Sequence, residues 1–323
     1  MEAFFDLLYF LFPLVIASMV PLSLVALGGL FSERSGVVNI ALEGIMVMGG
    51  FIGIILMRYL ALNTGMNPQT IAFIGLIFGA IAGVIFSLAH SFASINMKAN
   101  QIISATALNL FAPALAVFTA RTLWGTSNIN LGGNYRIQSV PLLGDIPFIG
   151  DLLFKGAYLS TYIGIVIFVI AIIVLYKTRL GLRIRSCGEN PHAADSLGVN
   201  IYKIRYIGVS ISGALAGMGG VIFVLSFSTR YDGTVAGFGF LALAVMIFGN
   251  WQPKKILYAA FFFAAMRVVS STYTGIPGLG DLPVPGEIYR MLPYIATLVV
   301  LAFASKNSRA PRAAGEPYDP GKR

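Results

Sequence analysis

The side chains able to do chemistry in this chain are few, and the most informative ones lie inside apolar stretches. In NIALEGIMVMGG, Asn39 and Glu43 stand four residues apart, a spacing that puts both on one face of a helix. In KANQIISATALNLFAP, Gln101 and Ser104 share a helical face with position 108, Asn109 lies beside that face, and Asn100 precedes them. Amides and a carboxylate in this pattern can hydrogen-bond a polar solute or one another across helices; they supply no nucleophile. Glu43 has alternative readings. An ionisable group at membrane depth must face a partner, a cavity or the interface, so it pairs with Arg34 or Arg58, caps and braces a broken helix, or touches a passing substrate. For the amides, interhelical hydrogen bonding stands beside solute contact. Asn39, Glu43, Gln101 and Asn109 are the candidate pathway residues.

Catalytic constellations do not occur in the sequence. It contains no G-x-x-x-x-G-K-S/T loop to cradle nucleotide phosphates, and neither H-E-x-x-H nor C-x-x-C to hold a metal. His90 and His192 are its two histidines, one in an apolar stretch and one in a polar loop, and neither has an evident carboxylate or thiol partner in sequence. Hydrolysis would need a nucleophile and a base in mutual reach. The chain is therefore expected to be no enzyme, with no catalytic residue, metal or cofactor.

These few polar groups must be positioned by long apolar elements. Of the 323 residues 57% are hydrophobic and 11% charged, with a mean hydropathy of +0.82. Apolar runs recur near the ~20 residues that cross a bilayer as a helix, and they are continuous, unlike the ~10-residue alternating segments of a membrane barrel. The expected fold is all-α: a polytopic membrane protein with about nine spans, eight to ten at the limits. They are placed near 8–31, 40–57, 70–95, 101–120, 159–176, 206–227, 237–250, 256–273 and 288–304. Lys98 and Asn100 interrupt 70–120 without a real loop, so a re-entrant pair or a tenth span is the alternative there. MEAFFDLLYF carries Glu2 and Asp6 and lacks a basic start, so the first apolar segment is expected to remain as a span.

The net charge of +9 is explained by orientation rather than by nucleic acid, because the basic residues flank spans. Lys177, Arg179, Arg183, Arg185, Lys203 and Arg205 sit in the 177–205 loop, Lys254 and Lys255 in the WQPKK link, and further Lys and Arg residues in the tail. All three regions are expected in the cytoplasm, with the C-terminus inside, the N-terminus outside and the 121–158 loop external. Residues 1–305 form one membrane domain on this reading. Residues 306–323 are Pro-, Gly- and charge-rich and read as a disordered cytoplasmic tail. Cys187 is the single cysteine, which excludes an intrachain disulfide.

Two sets of glycines and prolines bear on packing. Gly75, Gly79 and Gly83 recur every four residues, and Gly213 and Gly217 repeat the spacing, which allows close backbone approach within the chain or at a subunit interface. Pro13, Pro21, Pro113 and Pro293 are expected to interrupt their spans, and GTVAGFGF opens the seventh with three glycines. The second and seventh segments are short, glycine-flanked and oppositely oriented on this topology, which is consistent with an inverted repeat.

The polar island from Lys177 to Arg205 contains its own helix signals. Asn190 suits an N-cap, Pro191 the first helical position, Ala193 and Ala194 a small-residue face, and Gly198 a stop. Such a helix fits a cleft on another protein; an amphipathic connector at the lipid surface is the alternative.

The Ala-Ala-x-x-x-Gly spacing of Ala193, Ala194 and Gly198 resembles the coupling-helix signature of ATP-binding-cassette importer permeases. Where that family has a Glu before the paired alanines this chain has His192, with Glu189 three residues earlier. SERSGVVNIALEGIMVMGGF (Ser32 to Phe51) resembles the nucleoside-type permeases, marked by E-R-S/A-G-V-x-N-I/L-x-x-E-G, and differs from the GIDLSVG string of sugar-type members. NQIISATALNL, IPFIGDLLF, GFGFLALAVMIFGNWQP and MLPYIATLVVLAF add to the likeness. The resemblance implies a nucleoside importer permease of a bacterial plasma membrane that works by alternating access. It further implies a separate ATPase docking at Glu189, Pro191, Ala193, Ala194 and Gly198, a second, non-identical permease, and a substrate-binding lipoprotein or periplasmic protein. Simple sugars or branched-chain amino acids are the alternative cargo. An ion-coupled secondary transporter using Glu43 is the alternative mechanism.

Overall fold

The computed structural model describes residues 2–131, 133–227, 230–276, 279, 284–304 and 309–321. In chain order the helices are α1 (Glu2–Arg34), α2 (Leu42–Asn63), α3 (Pro68–Ser91), α4 (Gln101–Trp124), α5 (Leu159–Lys177), α6 (Arg179–Glu189), α7 (Pro191–Ser196), α8 (Ile201–Phe227), α9 (Phe238–Phe248), α10 (Pro253–Thr272) and α11 (Gly286–Ala304). Each of the nine predicted spans falls on one of them. Among the described residues, α1, α2, α3, α4, α5, α8 and α10 are long and apolar enough to cross a membrane. The uncertain stretch 70–120 resolves into two of these, α3 and α4. They are joined by a π turn at Phe92–Asn96 and a reversal in which Lys98 takes φ +50°.

Only the seventh predicted span is short. At 11 residues α9 measures about 16 Å, roughly half a hydrocarbon core. The α2 segment, expected to be equally short, is a full 22 residues. The prolines behave differently from expectation. Pro13 and Pro21 lie within a continuous α1, Pro113 within α4 and Pro293 within α11. Each costs one backbone N–H, a loss that neighbouring helices can offset in a membrane bundle.

α1, α2, α3 and α8 form the centre, burying Leu27, Leu30, Phe31, Ile45, Met46, Val221 and Ile222. Their approach depends on the glycines. A Cβ at Gly217 would overlap the Gly79 carbonyl of α3, and one at Gly49 would overlap the Gly217 backbone. One at Gly213 would come 2.6 Å from the Ser87 Cβ. The four-residue glycine spacing thus serves packing inside this chain.

At the end away from the basic island, the 121–158 region carries short strands. β1 (Ile129–Asn130), β2 (Arg136–Ser139) and β3 (Lys155–Tyr158) precede β4 (Arg230–Tyr231); β1 pairs antiparallel with β4, and β2 with β3. The Tyr231 hydroxyl donates to the Val47 carbonyl at 2.9 Å, fastening the segment before α9 to α2.

The basic end departs from expectation twice. The island holds an extra amphipathic helix, α6, which turns Gly181, Ile184, Cys187 and Gly188 inward. The tail reading as disordered is also corrected for residues 309–321: Ala313 N–H donates to the Gly188 carbonyl at 2.8 Å, and Tyr318 is only 6% exposed in the core cluster. Composition argued for disorder, whereas this polar segment bonds to the bundle through Gly188 and buries Tyr318.

Candidate functional site

Between α1 and α2 the chain leaves regular helix over residues 35–41: Ser35, Gly36 and Val37 N–H still bond back to the end of α1 and the Ala41 carbonyl accepts from Ile45 N–H, and the remaining backbone groups must find partners elsewhere. Gly36 takes φ +95°, a left-handed turn that a side chain would strain. The Ser32 hydroxyl donates to the Val37 carbonyl at 2.7 Å. Val38 N–H donates to Gln101 Oε1 at 2.7 Å, and its carbonyl accepts from His90 Nε2 at 2.9 Å. Because a carbonyl only accepts, His90 carries its proton on Nε2, leaving Nδ1 within 2.9 Å of the Ser104 hydroxyl.

The remaining amides continue this pattern. Asn39 is fully buried; its Nδ2 donates to the Ser212 hydroxyl of α8 at 3.0 Å, and its Oδ1 accepts from Ala41 N–H at 3.1 Å. Asn109 Nδ2 donates to the Ile40 carbonyl at 2.9 Å, while Oδ1 accepts from Gly44 N–H at 2.8 Å. α3, α4 and α8 therefore brace one unwound crossing through His90, Gln101, Asn109 and Ser212. The four candidate residues gather around residues 38–44, but the described hydrogen bonds of Asn39, Gln101 and Asn109 go to protein groups.

Glu43 links this crossing to the half-length helix. Its Oε1 accepts from Gly237 N–H at 2.9 Å, and its Oε2 accepts from Gly239 N–H at 2.6 Å. No side chain of α9 caps its own start, and Gly237 takes φ +77°, so a carboxylate from α2 supplies both acceptor and negative charge at the positive helix end. Of the readings for Glu43, pairing with Arg34 or Arg58 does not occur. Arg34 pairs with Glu189 at 3.0 Å and donates to the Trp251 carbonyl at 3.2 Å, whereas Arg58 donates to the Asn130 carbonyl at 3.3 Å.

The charge beside Glu43 is Arg267 of α10. Its guanidinium stands 4.5 Å from the Phe238 ring centroid and donates to the Ala236 carbonyl at 3.3 Å. A cavity of about 220 Å³ opens there, lined by Gly237, Phe240, Arg267, Tyr294 and Thr297 among others. This combination of cation, hydroxyls and aromatic rings suits a polar, ring-bearing solute. The sequence reading passed over Arg267, although an arginine inside the span predicted at 256–273 was the available signal.

At the basic end, Asn190 Oδ1 accepts from Ala193 N–H at 3.0 Å and Pro191 occupies the first helical position of α7. Gly198, at φ +78°, closes the helix as its N–H donates to the Asp195 carbonyl at 2.8 Å. Pro191 and Ala194 face inward, whereas His192, Ala193, Asp195 and Gly198 are exposed and Leu197 is 85% exposed. Glu189 lies apart from that outer face through its ion pair with Arg34, which ties the end of α6 to the end of α1. Cys187 is buried, and burial pushes its thiol up to about 11 despite the nearby Arg205, so it is a neutral packing group at physiological pH.

The family described as "Branched-chain amino acid transport system / permease component" matches residues 12–301. The nucleoside ABC transporter permease protein NupC of Lactococcus lactis subsp. cremoris is 40% identical over 299 residues, covering 92% of this chain and 93% of that protein. The guanosine ABC transporter permease protein NupQ of Bacillus subtilis is 37% identical over 321 residues, covering 98% and 99%. A second protein of that Lactococcus, the nucleoside ABC transporter permease protein NupB, is 26% identical over 328 residues, covering 93% and 84%.

Proposed function

The chain belongs to the branched-chain amino acid transport system / permease component family, and from that premise we propose that it is the membrane permease subunit of an ATP-binding-cassette importer for nucleosides. The end-to-end likeness to nucleoside and guanosine permeases carries the substrate reading. The capped helix α7 supports the coupling reading: it presents His192, Ala193 and Leu197 outward, and its inner side, through Pro191 and Ala194, rests on the bundle. A separate ATPase docks on that face, and its motion reaches the spans through α6 and α8. Glu189 belongs to this arrangement as a positioning residue, since its partner is Arg34. The basic end, with the C-terminus, is cytoplasmic in a bacterial plasma membrane.

A second, non-identical permease completes the pathway, a pairing supported by likeness to both NupB and NupC of one bacterium. A substrate-binding lipoprotein or periplasmic protein delivers nucleoside to the opposite face. Within the membrane, Asn39, Gln101 and Asn109 hold the crossing, and Glu43 holds the start of α9. Together they set the wall of the pathway beside Arg267, while the cavity at Arg267, Tyr294 and Thr297 offers groups for a nucleoside. A secondary transporter that cycles a proton or cation through Glu43 is disfavoured because both Glu43 oxygens already accept backbone N–H groups.

The test is uptake of labelled purine and pyrimidine nucleosides by cells carrying this chain with its ATPase, second permease and binding protein. Uptake is expected to require ATP and to fall in Gly198→Leu, where no atom lies within 4 Å to clash but φ +78° disfavours a side chain. Insertion of that variant into the membrane is expected to be normal. Gradient-driven uptake by this chain without an ATPase would sink the proposal.

A further inference from the structure

The segment from Arg309 to Gly321 crosses the whole basic end as a strap. Arg309 N–H donates to Asn250 Oδ1 at 2.7 Å, in the link between α9 and α10. Ala313 N–H then donates to Gly188 of α6 at 2.8 Å, and Gly315 N–H to Gly36 of the α1–α2 crossing at 3.2 Å. The Glu316 carbonyl accepts from Arg205 Nη1 of α8 at 2.9 Å, and Asp319 lies 3.5 Å from Lys98 ahead of α4. Tyr318 ends the run with its ring 5.2 Å from that of His192 on α7 and 5.8 Å from that of Tyr202 on α8.

Arg205 indicates that this seat is specific. The side chain is 1% exposed, and neither its Nε nor its Nη2 has a partner among the described residues, so the strap carbonyl is the acceptor its charge relies on. A buried guanidinium stripped of that acceptor would be strongly unfavourable. Beside it a cleft of about 320 Å³ opens between strap and coupling helix, lined by Asp195, Gly198, Asn200, Tyr202, Tyr318 and Pro320. Leu197 belongs to the same turn and is 85% exposed. The cleft is thus continuous with the outer face of α7.

We propose that this strap is part of the ATPase docking surface: Tyr318 clamps α7 through His192, and the cleft between Tyr318, Pro320 and the Asp195–Gly198 turn receives the ATPase subunit together with Leu197. The inference rests on the reading of α7 as the ATPase-docking helix, and it adds the C-terminal segment as a second docking and positioning element. Force delivered at α7 would then pass through the strap to the α1–α2 crossing at Gly36, the crossing that Gln101 and Asn109 brace.

The complete transporter, with its ATPase and second permease, is purified with Leu197→Asp, Tyr318→Ala, Tyr318→Phe or deletion of residues 309–323, and ATPase retention and nucleoside uptake are measured. Leu197→Asp is expected to lose the ATPase. Tyr318→Ala is expected to weaken retention about tenfold, the loss of one anchoring side chain, and the deletion, which also strips Arg205 of its acceptor, at least as much, with Tyr318→Phe near wild type because it keeps both ring contacts. Loss in Leu197→Asp with full retention in Tyr318→Ala and in the deletion overturns the strap alone. Full retention in Leu197→Asp overturns the α7 reading and the strap with it. Hydrogen exchange of the unmodified complex is the check that needs no variant: amides of 309–321 are expected to slow when the ATPase binds, and unchanged exchange there overturns the proposal.

Discussion

A carboxylate that accepts two backbone N–H groups at once cannot be replaced by its amide, because the amide presents a donor where one of those N–H groups already points. Glu43 is in that position between Gly237 and Gly239. Glu43→Gln keeps the shape and removes both the second acceptor and the charge at the start of α9, a cost of about 1–3 kcal/mol. Nucleoside uptake is expected to fall several-fold for equal amounts of protein in the membrane, and wild-type uptake by that variant would separate α9 capping from transport. Capping was among the readings open to Glu43 in the sequence, but its partners were not legible. They lie 194 and 196 residues further along, outside any window in which spacing rules operate. Asn39 and Asn109 repeat the lesson: their helical spacing marked them as polar groups at depth, and only the fold sent one to Ser212 and the other to Ile40 and Gly44.

Among the elements, the tightest constraint is the meeting of α2, α3 and α8 at their glycines. Gly217→Leu would drive a branched side chain into the Gly79 backbone, so the variant is expected to fail to accumulate as folded protein. Gly65→Ala, where nothing lies within 4 Å, is expected to accumulate normally. Fluorescence-detected size exclusion of both in detergent distinguishes packing from a general intolerance of substitution, and a well-folded Gly217→Leu would refute the packing role. The four-residue glycine period was legible because it is local. The proline signals misled, since α1, α4 and α11 continue through Pro13, Pro21, Pro113 and Pro293, whereas the glycines of GTVAGFGF did mark a break, before α9, where Glu43 replaces a missing cap. The α6 helix was missed because its arginines read as part of a polar loop, although Gly181, Ile184, Cys187 and Gly188 turn toward the bundle.

For the molecule as a whole, the basic residues and the strap make one prediction together. If α7, the WQPKK link and residues 309–321 share the cytoplasmic side, a fluorescent protein that matures only in the cytoplasm is expected to be bright when fused after Arg323. A phosphatase that works only outside is expected to be inactive there. The reverse pattern would overturn the orientation and every docking role assigned to that face. The sequence by itself determined the membrane class, the places of the nine apolar helices, seven of them long and apolar enough to cross a membrane among the described residues, and the capped helix at Asn190 to Gly198. Each of these follows from hydropathy, charge or capping within a short window of chain. Tertiary structure alone decided that an unwound crossing is held by His90, Gln101, Asn109 and Ser212, that Glu43 caps a helix from across the bundle, and that a polar C-terminal segment lies against α7. Those pairings join residues far apart in the chain, and the partner of a buried polar group is chosen by which elements pack together rather than by its neighbours in sequence.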